Sequence, residues 1–484
     1  MKKIIISSLI GFLFVGCTRD DINTDPNSAY ITIPSTLVTN AQKELSDYVT
    51  TCSVNENNFR LTMQYWTETI YVDESNYNFQ KRNVPDQIFI DNYVNVLNNL
   101  VKSKKLINEY VPIAAEASTW PGVKQNQLAL IDILQVYTYQ NLVDTFGNIP
   151  YSQSNQLTTT PAPAYDDAAT IYGDLISRLR TDIANINTAA GLNSNSDKFA
   201  TADLYYAGNL SSWKIFGNSL LLKLGIAIAD SNPTLAQQTV NTAIQSGVMT
   251  SAANNCQLKY LTASGNWNPV YENVDSNASG RPLDFIAGKT IIDYMNNSSD
   301  LRIAKYFQPV NDAYVGQTIG APGSPNLFSN PGAFAYTATT PGILLNYTEV
   351  AFYLAEAASR WAPSTAAAAY TNAVTASFLE WGLTTADATT YLATKPYDPT
   401  NWKKSIGEQA WVAMYNQPLT SWNFWRRLDN PVLIAPSTAS PLTSVPVRMR
   451  YPVSETTTNG ANYSAASAAI GGDLYTTKIF WDKF

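Results

Sequence analysis

Two stretches late in the sequence have the pattern of a helix pair joined by a short turn. In "LLNYTEVAFYLAEAASRW" (344–361) and "AAAAYTNAVTASFLEWGL" (366–383), apolar residues recur at helical spacing, and the turn "APST" separates the two stretches. Two helices within about 36 residues, with alanines where helices touch closely, are typical of a tetratricopeptide helix–turn–helix. The pattern therefore predicts a scaffold of paired helices.

Helical periodicity also recurs along the rest of the chain. No long alternating strand pattern accompanies it, so the predicted fold class is mainly α. The stretch 213–230 is apolar on nearly all sides, which predicts a fully buried helix. It is too short, and too polar at Asn218, Ser219 and Lys223, to span a membrane. The further predicted helices cover 86–110, 126–147, 165–186, 213–230 and 401–418.

Two long segments interrupt the helices. Residues 250–282 and 309–343 are rich in Gly, Pro, Asn and Ser, and they carry scattered aromatic residues. Structureless stretches of this length are usually functional or disordered, and the aromatic content argues against disorder. We expect these segments to be loop insertions on a rigid scaffold, where ligand contacts concentrate.

The N-terminus has the layout of an export signal. Lys2 and Lys3 precede a short apolar run that ends at Gly16, and Cys17 follows. The residues "FVGC" resemble the bacterial lipobox, in which the cysteine becomes an acylated N-terminus. We expect residues 1–16 to be the signal peptide and residues 17–484 to be one mature domain, anchored through Cys17. The alternative is an ordinary signal peptide with a coincidental cysteine.

Composition excludes several classes of function. The chain contains no histidine, which excludes Ser-His-Asp and Cys-His catalysis, His-ligated zinc and proximal-His haem. Its net charge of −7 argues against nucleic acid, itself densely negative, as a partner. Besides Cys17 only Cys52 and Cys256 are present, and they either form a disulfide or remain buried small apolar residues. Charged residues make up only 14 %, a composition that suits uncharged polar ligands such as sugars.

Several motifs resemble one known family, and they occur in order over the whole chain. They include "LVDTFGNIPYSQS" (142–154), "DLYYAGNLSSWKIFGNSLLLKL" (203–224), "SWNFWRRLDNPVL" (421–433) and the ending "LYTTKIFWDKF". These stretches resemble the SusD-like (RagB/SusD) family of nutrient-binding outer-membrane lipoproteins. Asn148 stands where the family usually has Asp, and Lys223 stands where Arg is common.

The resemblance implies a fold, a location and a partner. The expected SusD-like fold has tetratricopeptide-like helix pairs with a loop-rich ligand-binding face. Such a protein sits on the exterior of the outer membrane, binds a glycan or a peptide nutrient, and caps a SusC-like TonB-dependent transporter. The family has no catalytic residues, and no cofactor or metal is expected. The acids Asp20 and Asp21 resemble the signal that sends these lipoproteins to the cell surface.

Two segments combine aromatic rings with polar side chains, the combination that binds the apolar faces and the hydroxyl edges of sugars. They are "MQYWTETIYVDESNYNF" (63–79) and "GNWNPVYENVDSNASGR" (265–281), and both lie outside the clearest helices. The predicted ligand-binding residues are Trp267, Trp66, Tyr71, Tyr77, Tyr271, Asn266, Asp275 and Arg281. The tryptophans within predicted helices, Trp213, Trp361, Trp381 and Trp411, are expected in the core.

Three alternatives stay open at this stage. An all-helical glycosidase needs only two carboxylates, for which Glu68 with Asp73, or Glu272 with Asp275, are the candidates. A structural scaffold that binds protein is the second alternative. The acids Asp73 and Glu74 are the candidates for a calcium site, although no ordered calcium loop surrounds them. In "WRRLDNP" (425–431), the charged side chains are interpreted as a structural ion pair or helix cap.

Overall fold

The computed structural model describes residues 32–156, 158–278, 280–281, 283–439 and 442–484. The predicted signal peptide, Cys17 and the acids that follow it lie outside these residues. Within them, no helix is both long enough and apolar enough to cross a membrane.

Helices dominate the described chain, and this confirms the predicted fold class. In order they are α1 (Pro34–Thr50), α2 (Phe59–Thr62), α3 (Val84–Phe89), α4 (Asn98–Glu109), α5 (Trp120–Phe146), α6 (Ala168–Asn185), α7 (Phe199–Ala202), α8 (Leu210–Ala227), α9 (Pro233–Ser246) and α10 (Pro269–Val274). The C-terminal half adds α11 (Lys289–Asn297), α12 (Ile303–Tyr306), α13 (Tyr347–Trp361), α14 (Pro363–Glu380), α15 (Thr385–Thr394), α16 (Trp402–Ala413), α17 (Pro418–Leu428), α18 (Glu455–Thr458) and α19 (Gly460–Ala469).

Neighbouring helices pack in pairs, as the repeat pattern predicts. The closest pairs are α13 with α14, α8 with α9, α5 with α6, and α1 with α4. Only Ala362 separates α13 from α14, and Pro363 begins α14, because proline is tolerated in the first turn of a helix. The predicted stop of α5 is also confirmed, since Gly147 follows it with a φ of 81°.

Helix α8 is buried on nearly every side, as its composition predicts. Its one charged residue in the buried part, Lys223, forms an ion pair with the buried Glu349 at 3.0 Å. The Asn209 side chain accepts a hydrogen bond from the Ser212 amide and caps the first turn. Trp213 on α8 and Trp411 on α16 are buried as expected, and Trp361 and Trp381 are partly buried against the same core.

The "WRRLDNP" segment is structural, as interpreted. Arg427 pairs with the buried Glu356 at 2.7 Å, and Arg426 lies over the Trp422 ring at 3.5 Å. Asp429 ends α17 in the left-handed conformation.

One long helix differs from its prediction in an informative way. Helices α3 and α4 are continuous through Ile90–Leu97, and this middle part is a π-helix. The π-helix is rare, and it occurs frequently at functional sites. The spacing of apolar residues in the sequence does not distinguish a π-helix from an α-helix.

The strands are short and pair two by two. They are β1 (Trp66–Glu68), β2 (Ile149–Pro150), β3 (Tyr165–Asp166), β4 (Cys256–Leu258), β5 (Phe285–Ala287) and β6 (Gly342–Leu345), in the antiparallel pairs β1–β5, β2–β3 and β4–β6. Cys52 and Cys256 are both buried and both free, so of the two open alternatives the structure has the unpaired thiols.

Candidate functional site

The β1–β5 pair joins the first aromatic segment, 63–79, to the strand that follows the second segment, 265–281. Trp66 pairs with Ala287, and Glu68 pairs with Phe285. The contact continues beyond the strands, because the Thr69 amide donates to the Asp284 carbonyl at 3.0 Å. Segments about 200 residues apart in sequence therefore meet in one place.

A cleft of about 310 Å³ lies at this junction. The end of β1, the loop after α1, helix α10 and the loop before β5 form its walls. Both acidic and basic side chains line it, and the exposed Tyr71 stands at its edge with 62 % of its surface accessible. The lining residues are Ser53, Val54, Asn55, Glu68, Thr69, Ile70, Tyr71, Arg82, Glu272, Asn273, Gly280, Arg281, Asp284 and Phe285.

Glu68 is a buried carboxylate in the cleft wall. Its Oε2 accepts hydrogen bonds from the Ser75 amide at 2.8 Å and from the Ser75 hydroxyl at 2.9 Å. These bonds close the loop 69–74 that carries Tyr71. Glu74 lies beside Glu68, and its Oε1 accepts from Arg82 Nε at 2.7 Å.

The Glu68 and Glu74 carboxyl groups lie side by side, and the pKa of Glu68 is strongly raised. Burial raises the pKa of Glu68 to about 8, and the neighbouring Glu74 carboxylate adds to the rise. Glu74 Oε2 is buried and accepts no hydrogen bond from a donor group in the described residues. At neutral pH Glu68 is therefore protonated, and its O–H can donate a hydrogen bond to the Glu74 carboxylate.

Helix α10 forms the opposite wall. Pro269 begins it, and the Asn268 side chain accepts from the Val270 amide at 2.7 Å, so the dipeptide Asn-Pro supplies both a cap and a first turn. Glu272 and Asn273 on this helix line the cleft. Burial raises the pKa of Glu272.

Trp267 and Tyr271 form an aromatic pair next to this wall. Their rings meet edge to face at 5.5 Å, and both are half-buried. Trp267 Nε1 donates to the Thr262 carbonyl at 2.9 Å, which fixes the indole against its own loop. Asn266 is exposed on the same loop. This pair directly precedes the cleft residues of α10 in the chain.

A close backbone contact shapes the last wall. A Cβ on Gly280 would lie 2.8 Å from backbone atoms of Asn273 and Asp275, so only glycine fits there. Asp275 accepts from the Asn277 amide at 2.7 Å and stabilises the turn after α10. Arg281, whose amide donates to the Asn273 carbonyl at 3.0 Å, is exposed at the cleft.

Two of the predicted ligand residues lie in the core, which corrects their prediction. Trp66 is 0 % exposed, and its Nε1 donates to the Tyr415 hydroxyl at 2.7 Å. Tyr77 is 1 % exposed, and its hydroxyl accepts from Gln64 at 3.0 Å. Large rings next to a strand pair gain more from packing than from exposure, so neither ring is available to a ligand in this structure.

Part of the cleft comes from residues that no sequence pattern marks. The loop Ser53–Asn55, Arg82, Asn273 and Asp284 all line it, but only the tertiary pairing brings them there. Glu68 and Glu272, which the sequence offers only as candidate catalytic acids, also line the cleft. Their place within the two aromatic segments is the sequence signal for a role in binding.

Asp73 and Glu74, the candidate calcium ligands, form ion pairs within the protein. Asp73 pairs with Lys81 at 2.5 Å, and Glu74 pairs with Arg82. Each candidate calcium ligand is thus already neutralised by a cationic side chain. Across the described residues, no cluster of three or more acidic or thiol side chains has the arrangement of a metal site.

A protein-family model, described as "Starch-binding associating with outer membrane", matches residues 26–452. The chain belongs to the SusD-like family. The family is described by starch binding and by its association with the outer membrane. The prediction of the family from sequence motifs is confirmed.

Solved structures share the fold over nearly their whole length. A chitin-binding protein is 25 % identical, with a TM-score of 0.77, over 93 % of this chain and 100 % of that protein. A chitin-binding SusD homologue from Flavobacterium johnsoniae is 22 % identical, with a TM-score of 0.76, over 93 % and 98 % of the two chains. A SusD homologue from Bacteroides uniformis is 23 % identical, with a TM-score of 0.75, over 93 % and 99 %. No curated protein sequence matches the chain at a significant level.

Proposed function

We propose that this SusD-like protein holds a glycan, most simply an oligosaccharide, in the cleft at the β1–β5 junction and passes it to a SusC-like TonB-dependent transporter. The observation that carries the proposal is the meeting of two aromatic and polar segments at one cleft within a family described as starch-binding. A chitin-binding protein that is 25 % identical shares the fold, which supports a glycan over a peptide as the ligand.

The proposed contacts follow from exposure and chemistry. Tyr71 offers a ring at the cleft edge, and Arg281 and Glu272 offer charged hydrogen-bonding groups to hydroxyls. The aromatic pair Trp267 and Tyr271 extends the apolar surface along the wall. Asn266 and Asp275 lie near it in the chain and are proposed as supporting polar contacts.

The location is part of the same proposal. Residues 1–16 are the proposed signal peptide, and Cys17 is the proposed acylated residue that anchors the mature domain, 17–484, to the outer membrane facing outward. A Cys17→Ala substitution should remove the protein from the outer-membrane fraction, and metabolic labelling with an alkyne-tagged fatty acid should mark only the wild type. Equal membrane retention of Cys17→Ala would contradict the anchor.

Calorimetry against maltohexaose, chitohexaose and a panel of other oligosaccharides tests glycan binding. Tyr71→Ala and Trp267→Ala should each weaken binding by about 1–3 kcal/mol, the loss expected for a central aromatic contact. Phe484→Ala is the matched control, because Phe484 is also an exposed ring but does not line the cleft. Unchanged affinity in both the Tyr71→Ala and Trp267→Ala variants would place the glycan elsewhere. Release of shorter products by the purified protein would restore the glycosidase alternative.

Co-purification tests the transporter. The wild-type protein, tagged at its C-terminus and extracted in mild detergent, should bring a large outer-membrane barrel with it. Absence of such a partner would favour the scaffold alternative for this chain.

A further inference from the structure

The loop 69–74 carries Tyr71 to the edge of the glycan cleft, and one pair of residues closes this loop at its base. The Glu68 amide donates to Ser75 Oγ at 2.9 Å. Ser75 donates in return to Glu68 Oε2, from its amide at 2.8 Å and from its hydroxyl at 2.9 Å. Both residues are buried, so the three hydrogen bonds form away from water and fix the distance between the two ends of the loop.

Tyr71 depends on this closure for its position. Its ring is exposed, and so is the side chain of its neighbour Ile70, which means that packing against the core does not hold the tip of the loop. The start of the loop is held because the Thr69 amide donates to the Asp284 carbonyl at 3.0 Å, and the end is held at Ser75. A shift at either end therefore moves the Tyr71 ring relative to the cleft.

Glu74, the last residue of the loop, places a second buried carboxyl group beside Glu68. Glu74 Oε1 accepts from Arg82 Nε at 2.7 Å, whereas Glu74 Oε2 is buried without a donor among the described residues. A buried carboxylate oxygen without a donor is costly. A proton on the neighbouring Glu68 supplies the missing donor and joins the two ends of the loop a second time.

The surroundings provide one cation for these two carboxyl groups. Arg82 is the one cation that contacts them in the described chain, and its Nε is already bonded to Glu74. Strand β5 and the segments 53–55 and 317–323, which pack against β1 or line the cleft, contain no ionisable residue. The other charged groups nearby are Arg60 on α2, Glu272 on α10, Arg281 and Asp284 before β5, and Asp73 paired with Lys81.

Loss of the Glu68 proton would change the balance in this place. Two adjacent buried carboxylates would then face one cation, and the hydrogen bond donated to Glu74 would be lost. Ser75 would still donate to Glu68 Oε2, but the repulsion acts between residues 68 and 74, which are the two ends of the loop. Burial and the Glu74 carboxylate raise the pKa of Glu68 to about 8, which agrees with a site that favours the protonated form.

We propose, on the basis of the proposed glycan cleft, that protonated Glu68 is the positioning residue of this site: it closes the loop 69–74 through Ser75 and Glu74 and thereby holds the Tyr71 ring against the sugar. Glycan binding is coupled to this one proton. The loop stays closed at neutral pH, and the affinity for the glycan falls as the pH rises above about 8.

Hydrogen exchange measured by mass spectrometry reports on the loop without any ligand. The full mature chain is compared at pH 6, 7, 8 and 9, with the rates corrected for the intrinsic pH dependence of exchange. The wild-type amides of residues 69–76 should lose protection above pH 8. Glu68→Gln keeps an acceptor and a donor but cannot ionise, so its loop should stay protected at every pH. Glu68→Ala removes both groups, and its loop should be unprotected throughout.

Asp73→Asn is the matched control for these variants. Asp73 is a partly exposed acid on the same loop, it pairs with Lys81, and it does not line the cleft. Its exchange profile should follow that of the wild type. A loss of the pH dependence in Asp73→Asn would assign the titration to Asp73 and overturn the role of Glu68.

Calorimetry with chitohexaose and with maltohexaose at pH 7 and 9 extends the test to the ligand. The hexasaccharide that binds the wild type should bind about tenfold more weakly at pH 9, because with a pKa of about 8 only about one molecule in ten then has a protonated Glu68. Glu68→Gln should bind equally well at both pH values. Tyr71→Ala should bind weakly at both, since its loop has no ring to position.

The two readouts separate this inference from the proposed function. The inference is overturned if the loops of the wild type and Glu68→Gln exchange alike at pH 9, or if the glycan affinities of the two proteins fall in parallel. If neither hexasaccharide binds the wild type at any pH, the proposed glycan ligand is wrong, and the exchange data alone decide whether Glu68 holds the loop.

Discussion

Glu68 gives a quantitative test of how the cleft is built. The substitution Glu68→Gln keeps the shape of the side chain. Its amide oxygen still accepts from Ser75, and its amino group donates toward Glu74 as the protonated carboxyl does. It removes only the ionisation. We therefore expect the variant to keep the fold of the loop that carries Tyr71.

The sign and size of the effect follow from the pKa shift. The raised pKa keeps the Glu68 carboxyl protonated in the native state up to a pH of about 8, whereas the unfolded chain loses this proton near the ordinary pKa of 4.5. Between these values the native state binds more protons, so the free energy of unfolding of the wild type falls as pH rises from about 4.5 to about 8. The full difference corresponds to roughly 5 kcal/mol above pH 8. The Glu68→Gln variant has no ionisable group at this position, so its free energy of unfolding does not fall in this way.

Urea unfolding of both proteins, followed by tryptophan fluorescence at pH 5, 7 and 9, measures the difference. The variant should equal the wild type at pH 5 and exceed its stability increasingly at pH 7 and 9. Asp284→Asn, a half-buried cleft acid outside the pair, should show a smaller pH dependence. Parallel stability curves for Glu68→Gln and wild type would show that Glu68 is ionised in the native protein and would refute the shared proton.

Two further predictions concern the scaffold. Arg427→Ala removes one of the two arginines that pair with the buried Glu356 and leaves this carboxylate with Arg360 alone. It should cost up to about 3–5 kcal/mol in urea unfolding, because the buried charge is then only partly compensated. Lys289→Ala, in an exposed pair with Asp293, should cost less than about 1 kcal/mol, and equal losses for the two variants would contradict this expectation. Cys52 and Cys256 should resist a thiol reagent such as DTNB in the native protein and react only in denaturant, because burial raises the pKa of the Cys52 thiol to about 12 and that of Cys256 well above its ordinary value; rapid labelling before unfolding would show that the thiols are accessible.

The helical scaffold is predictable from local sequence patterns. The α13–α14 pair, the buried helix α8 and the end of α5 at Gly147 all follow from periodicity, composition and a glycine stop, which act over a few neighbouring residues. The order of motifs along the chain was enough to recognise the family. These features need no knowledge of which distant segments meet.

The residues of the cleft are predictable from the sequence only in part. Both aromatic segments were identified, yet Trp66 and Tyr77 pack inward while Tyr71, a few residues from each, points to solvent. Neighbouring aromatic residues have the same composition signal whichever way their rings turn, and burial depends on the partner strand. The sequence pattern over Ile90–Leu97 likewise predicts an ordinary helix, whereas the structure has a π-helix there.

Local sequence thus specifies the helices, their caps and the absence of histidine-dependent chemistry, because each depends on residues within a turn or on composition alone. The pairing of β1 with β5 specifies the cleft, since it joins residues near 68 to residues near 285 and decides which side chains lose their water. Which rings are buried therefore depends on close packing between distant parts of the chain, because only a few rings fit the space between them.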